Sequence, residues 1–147
     1  MRAVVQRVLS ARVLVDKRVA GEIGRGLCVL LGVAQGDDEA AAEALAGRMA
    51  RLRIFENEDG RFDRSLLDVG CEALVVSQFT LIADTRSRKG NRPDFSKAAR
   101  PEVAEPLYEA FCEALAAFGV RVETGIFGER MQLELVNDGP VTIVLEL

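Results

Sequence analysis

Apolar and polar positions change period several times along the chain, and each change marks an element. Over residues 1–35 the apolar positions are β-branched and closely spaced. AVVQRVLSARVLVD reads as an extended strand, KRVAGEIG as a short hairpin arm with a glycine turn, and GLCVLLGV as a nearly continuous buried strand. The period then lengthens to that of a helix. Gly36-Asp37-Asp38-Glu39 supplies a cap and an acidic first turn, and Ala41, Leu45, Met49 and Leu52 form an apolar stripe. Arg48, Arg51 and Arg53 crowd the far end, where cations suit the helix dipole.

Residues 54–68 hold the turn signal Asn57-Glu58-Asp59-Gly60, set between short strands or in an irregular excursion. Glu72 to Ala83 is predicted as one strand, an apolar run interrupted by Ser77, Gln78 and Thr80. Asp84 to Arg100 has no usable periodicity; unstructured connections of this length inside a compact domain are often functional. A second helix is expected from about Pro101 or Pro106 to Phe118, with Leu107, Phe111, Ala114, Leu115 and Phe118 on one face and Gly119 as the stop. Pro106 means that the helix either starts there or kinks, because proline removes a backbone hydrogen bond. Strands at Val120–Glu123, Met131–Val136 and Val141–Leu147 close the chain, the last two joined by Asn137-Asp138-Gly139-Pro140. The pattern predicts an α+β fold with two main helices packed on a curved antiparallel or mixed sheet.

A chain of 147 residues, 49% hydrophobic and 29% charged, fits one soluble domain spanning 1–147. No apolar run reaches the ~20 residues of a membrane helix. Arg2, Arg7 and Arg12 interrupt the apolar stretch a secretory signal needs, so a cytoplasmic protein is expected. There is no histidine, which excludes imidazole bases, Ser-His-Asp and Cys-His nucleophile systems and histidine metal ligands. Cys28, Cys71 and Cys112 form no CxxC pair and read as buried, inert thiols, so no metal or cofactor is expected. The net charge is −4, yet Arg86, Arg88, Lys89, Arg92, Lys97 and Arg100 face only Asp94 in their stretch, a local +5. That stretch is a solvated loop or a phosphate-contacting one.

Two short polar segments carry the candidate chemistry. Strand alternation would put Gln78 and Thr80 on one face and Ser77 and Phe79 on the other, as hydrogen-bonded core or edge residues or as a strand end facing a pocket. Asn137 to Thr142, NDGPVT, reads locally as a tight turn. Together, SQFT at Ser77–Thr80 and NDGPVT at Asn137–Thr142 resemble the two signature motifs of the D-aminoacyl-tRNA deacylases. The likeness extends in order through MRAVVQRVLSARVLVD, GEIGRGLCVLLGV, RIF at Arg53–Phe55, KGNRPDF at Lys89–Phe95 and TGIFGERMQLELVNDGPVT.

The resemblance implies a barrel-like fold and a homodimeric enzyme that hydrolyses the ester between a D-amino acid and the 3′ end of tRNA. It implies that Ser77, Gln78, Phe79 and Thr80 line the active site of one subunit, with Thr80 and the Phe79 N–H beside the ester carbonyl. Gly139-Pro140 would enter from the other subunit, cis, its carbonyls holding the α-amino group and blocking an L side chain. Asn137, Thr142 and Met131 would bind the substrate along with it, Met131 also supporting the cross-subunit motif. Arg86, Arg88, Lys89, Arg92 and Lys97 would touch acceptor-stem phosphates. A site that selects by exclusion should admit glycine, which has no side chain to exclude. The chain departs from the family pattern at Asp94, where many members carry serine, at Glu129, commonly alanine, and at Pro106. Two other readings use the same residues: a tRNA-binding module without catalysis, and an esterase that ignores the RNA.

Overall fold

The computed structural model describes residues 1–86 and 90–147. The elements run β1 (Arg2–Val15), β2 (Arg18–Ile23), β3 (Gly26–Gly32), α1 (Glu39–Ala50), β4 (Phe55–Glu56), β5 (Phe62–Arg64), α2 (Leu66–Val69), β6 (Glu72–Ser77), a 3-10 turn (Phe79–Ile82), α3 (Pro101–Ala117), β7 (Val122–Thr124) and β8 (Gln132–Glu146). β1 organises the sheet. One of its edges takes β8 antiparallel from Arg2↔Glu146 to Leu14↔Gln132, and its other edge takes β3 along residues 2–8 and β2 along residues 11–15. β6 adds to β3, and β7 to β6, both parallel. The mixed sheet curls until β2 nears β7, where a Cβ on Gly21 would run into the Thr124 carbonyl oxygen. The result is a nearly closed, barrel-like sheet with two long helices and one short one.

Local chemistry accounts for most element ends. Asp16 and Lys17 both adopt positive φ (48° and 65°), as a two-residue hairpin between right-twisted strands requires. Asp38 caps α1 by accepting from the Ala41 N–H at 2.9 Å. Ser65 and Asp68 form a reciprocal capping box on α2. Pro101 occupies the first turn of α3, where its missing N–H costs nothing. The helix runs on through Pro106, whose exposed ring faces solvent, so the proline neither starts nor ends it.

The core has two layers. Met49, Leu45, Phe55, Leu66, Phe111 and Leu115 fill the space between helices and sheet, whereas Val8, Val13, Ile23, Cys28, Leu74 and Val76 fill the barrel. The predicted stripe of the first helix is displaced: Leu45 and Met49 are buried, Ala41 is half-buried, and Leu52 lies beyond the helix end. Of the cysteines only Cys28 is fully buried; Cys71 and Cys112 are half-buried, and all three are free thiols.

Two expectations are corrected. The strand predicted over Glu72–Ala83 stops at Ser77, and Phe79–Ile82 forms a 3-10 turn, so the alternation assigned to residues 77–80 does not hold. NDGPVT is not a turn between two strands. It lies inside the continuous β8, where the ladder with β1 keeps going on both sides and the intervening residues bulge. Periodicity could not separate these cases, because a bulged strand and a hairpin carry the same Asn-Asp-Gly-Pro composition.

Phe111, wholly buried between the helices and the sheet, sets the scale of core stability. Phe111→Ala is expected to lower the unfolding free energy by about 3–5 kcal/mol in denaturant titration.

Candidate active site

β3, β6 and β7 run parallel, so their carboxyl ends lie on one side of the sheet, the usual place for a ligand crevice in such an arrangement. A cavity of about 590 Å³ opens there. Its walls come from the ends of the strands and the residues that follow them: Val33 after β3, Ser77 at the end of β6 with Gln78-Phe79 after it, and Phe127-Gly128-Glu129 after β7. The first turn of α3 (Arg100, Pro101, Ala104) and Met131 with Leu133 complete it. The lining is mostly apolar, and Phe79 meets Phe95 edge-on with ring centroids 5.1 Å apart.

The 3-10 turn places polar groups at this cavity. Gln78 donates its backbone N–H to Leu31 O at 2.8 Å, which ends the parallel ladder, and Leu81 N–H donates back to Gln78 O at 3.2 Å. At any helix start the first N–H groups have no acceptor within the helix, here those of Phe79 and Thr80. Gln78 donates its side-chain amide to the Thr80 hydroxyl. Gly32 is required beside this turn, since a Cβ there would sit 2.9 Å from Gln78 O and 3.1 Å from Leu81 Cβ. Of the sequence-predicted residues, Ser77, Gln78, Phe79 and Met131 line the cavity, and Thr80 stands exposed next to them.

Gly139, Pro140, Asn137 and Thr142 are elsewhere in the same chain. Between the pairs Gln6↔Thr142 and Val8↔Asn137, β1 advances two residues while β8 advances five, so Asp138 to Val141 stand out of the ladder. Asn137 closes the gap: its Oδ1 accepts from Val141 N–H at 2.7 Å, and its amide donates to Val141 O at 3.1 Å and Thr142 Oγ1 at 3.2 Å. The Gly139-Pro140 peptide is cis, and Gly139 has φ +142°, where a Cβ would lie 2.7 Å from Val141 Cγ2. Only glycine fits. This bulge sits opposite Arg7, which pairs in turn with Leu27 at the start of β3; the cavity is at that strand's other end.

Arg7 is the site-related residue that the sequence reading missed. Its side chain is 4% exposed beneath the bulge. Nε donates to Asp138 O at 3.0 Å, Nη1 to Ile54 O at 2.8 Å, and Nη2 to Glu56 Oε1 at 3.3 Å. The signal was in the sequence: a lone arginine at an inward position of an apolar strand must be paired inside the fold.

The basic stretch is more restrained than its charge implied. Asp84 and Asp94 exchange backbone hydrogen bonds of 2.8 and 2.9 Å, which pinches the base of the loop. Asp84 pairs with both Arg86 and Lys97 at 3.4 Å, and Asp94, the family departure, accepts from Ser96 N–H at 2.8 Å to form a local turn. Arg92 is exposed, and Arg88 and Lys89 lie outside the described residues. Among thiols, burial pushes Cys28 up to about 12 and Cys112 up to about 11, so neither is a thiolate nucleophile at neutral pH.

These features describe an α+β protein with a largely apolar cavity carrying a few polar groups in its wall, the makeup common to small-ligand sites. A family model described as D-Tyr-tRNA(Tyr) deacylase matches residues 4–146. Proteins named D-aminoacyl-tRNA deacylase from Roseiflexus castenholzii and Ruegeria pomeroyi are 62% and 58% identical to the chain, covering 99% and 100% of it and 92% and 100% of themselves. A solved structure titled c-Myc DNA Unwinding Element Binding Protein matches at TM-score 0.91 and 44% identity, over 100% of this chain and 99% of its own. One titled as a probable eukaryotic D-amino acid tRNA deacylase matches at TM-score 0.82 and 20% identity, over 99% and 98%, a likeness of fold. The chain belongs to the D-aminoacyl-tRNA deacylase family.

Two measurements test this geometry. Arg7→Met orphans the buried Ile54 carbonyl at roughly 1–3 kcal/mol and removes the part-buried bond to Asp138 O, so its unfolding midpoint in urea is expected to fall clearly below wild type. The Arg86 backbone N–H, then the Arg86 side chain, hold the Asp84 carboxyl below its ordinary range. With its folded pKa depressed, Asp84's stabilisation of the loop is present above the ordinary aspartate pKa and is lost as pH falls through its own lower value. An NMR pH titration should place its carboxyl midpoint below the ordinary aspartate value.

Proposed function

We propose that the protein hydrolyses D-aminoacyl-tRNA to free tRNA and D-amino acid, rejects L-aminoacyl-tRNA, and so removes mischarged substrates from translation. The observation that supports this reading is that Ser77, Gln78 and Phe79 line an apolar cavity with Thr80 exposed beside them in sequence, in a chain without histidine. The aminoacylated 3′ end of the tRNA enters the cavity, and the ester carbonyl lies against the Phe79 and Thr80 amides. Water adds to the acyl carbon, the amides stabilise the developing oxyanion, and the ribose 3′ oxygen departs with a proton. An aminoacyl ester is already activated, so orientation and oxyanion stabilisation supply the rate without an imidazole. The ribose 2′-hydroxyl assists in activating the water.

Chirality is read by Gly139-Pro140 from a second copy of the chain. Support for a homodimer comes from the distance between motifs: within one protomer the bulge and the cavity lie at opposite ends of β3, and strands rise about 3.3 Å per residue. The bulge therefore serves a partner's cavity, where its carbonyls hold the α-amino group and its ring excludes an L side chain. Asn137 and Thr142 keep the bulge in shape, and Met131 packs at the cavity wall. Arg86, Arg88, Lys89, Arg92 and Lys97 contact acceptor-stem phosphates, which position the RNA without reading sequence. The place of action is the cytoplasm, where charged tRNA is used; no helix among the described residues is long and apolar enough to cross a membrane.

Deacylation of D-Tyr-tRNA, L-Tyr-tRNA, Gly-tRNA and D-tyrosine methyl ester separates the possibilities. The expected result is rapid cleavage of D-Tyr-tRNA, measurable cleavage of Gly-tRNA, and neither of the others. Thr80→Ala should lower kcat/KM for D-Tyr-tRNA about 10–100-fold through lost positioning. Cleavage of the methyl ester at a comparable rate would make the protein a general esterase, and an acyl group trapped on Thr80 would replace the water mechanism with a covalent one.

A further inference from the structure

Outside the sheet, β4 and β5 form a hairpin too short to be stable alone, with register Phe55↔Arg64 and Glu56↔Phe62. Its tip is held rigid by Asn57, whose Oδ1 accepts from the Asp59 and Arg61 N–H groups at 2.9 and 3.1 Å. Phe55 anchors the hairpin in the core, but Phe62 is 53% exposed and adds nothing to that core. Instead its ring lies under the Arg7 guanidinium, 5.5 Å from centroid to Cζ. Glu56 accepts from the same guanidinium. The opposite side of Arg7 carries the Asp138 carbonyl, and a Cβ on Gly139 would lie 3.5 Å from Nη2. The guanidinium is thus clamped between a hairpin with no part in the cavity and the peptide groups of the bulge.

We propose that the β4–β5 hairpin governs discrimination between D and L substrates, with Phe62 and Glu56 as positioning residues that act on Gly139-Pro140 through Arg7. The proposal rests on the reading of Gly139-Pro140 as the chiral barrier. A barrier that works by exclusion depends on being held in place, and a misplacement of about 1 Å costs on the order of 100-fold in a well-oriented site. The planar guanidinium transmits that constraint because its donors are fixed relative to one another. The aromatic face adds attraction and shields the cation from water. Removing the ring lets water reach Arg7 and frees the bulge to shift, which admits L side chains while loosening the grip on D substrates.

The test compares Phe62→Ala, Phe62→Tyr and Glu56→Gln with wild type, measuring kcat/KM for D-Tyr-tRNA and L-Tyr-tRNA together with thermal unfolding. Phe62→Ala is expected to lower the D/L ratio by about tenfold or more, Phe62→Tyr to keep it, and Glu56→Gln to lower it by a smaller factor. A ratio within about twofold of wild type in both Phe62→Ala and Glu56→Gln overturns the proposal. Equal loss of both activities alongside a lowered Tm also overturns it, since a purely structural role reduces active enzyme without touching selectivity. If Phe62→Ala does not fold, Glu56→Gln, altered at a half-exposed carboxylate, decides alone. Wild-type protein that cleaves L- and D-Tyr-tRNA alike refutes the barrier reading itself, an outcome distinct from an unchanged ratio in the variants.

Discussion

A guanidinium shut inside a small protein is tolerated only when its donors are used, and Arg7 uses them on three separate parts of the chain. It projects from β1, the strand to which β2, β3 and β8 all pair. From there it holds the segment after α1 through Ile54, the hairpin through Glu56, and the β8 bulge through Asp138. Each partner is pinned because the charge cannot be left unpaired. The bulge, with a glycine at φ +142° and no ladder partners of its own, keeps one shape because Arg7 lies below it and Asn137 spans it.

Strand direction sets the rest. Three parallel strands bring their carboxyl ends together and leave a cavity floored by the segments that follow them, whereas the antiparallel β1–β8 pair carries its bulge toward the other end. One protomer cannot fold its own bulge into its own cavity without dissolving the ladder on which both depend. In the basic loop, Asp84 pairs with both Arg86 and Lys97.

Much of this was legible in the sequence. Periodicity found the first three strands and both long helices, because their apolar patterns are strong, and left the sheet antiparallel or mixed. It failed where a local motif is shaped by distant partners. Residues 78–82 are apolar enough for a strand, yet Gln78 hands its N–H to Leu31 and the chain coils, a decision made by the end of β3. Gly139-Pro140 has turn composition, but pairing with β1 on both sides keeps β8 running. Arg7 looked like one more charge on a strand; its partners at positions 54, 56 and 138 are invisible to any local window. The motif resemblance, by contrast, named residues 77–79 and 131, which the fold gathers at one cavity.

The pairing of β1 with β8, Arg2↔Glu146 at one end, joins the first strand of the sheet to the last in chain order. During synthesis β1 can find β2 and β3 quickly, but one whole edge stays bare until β8 has been made. Bare edges invite pairing with other nascent chains. The apolar outer residues of that strand, Val136 and Val144, arrive at the moment the edge is covered. Premature termination anywhere before β8 therefore yields a chain with an open sheet and an Arg7 stripped of its Asp138 partner, a species for quality control rather than a smaller working protein.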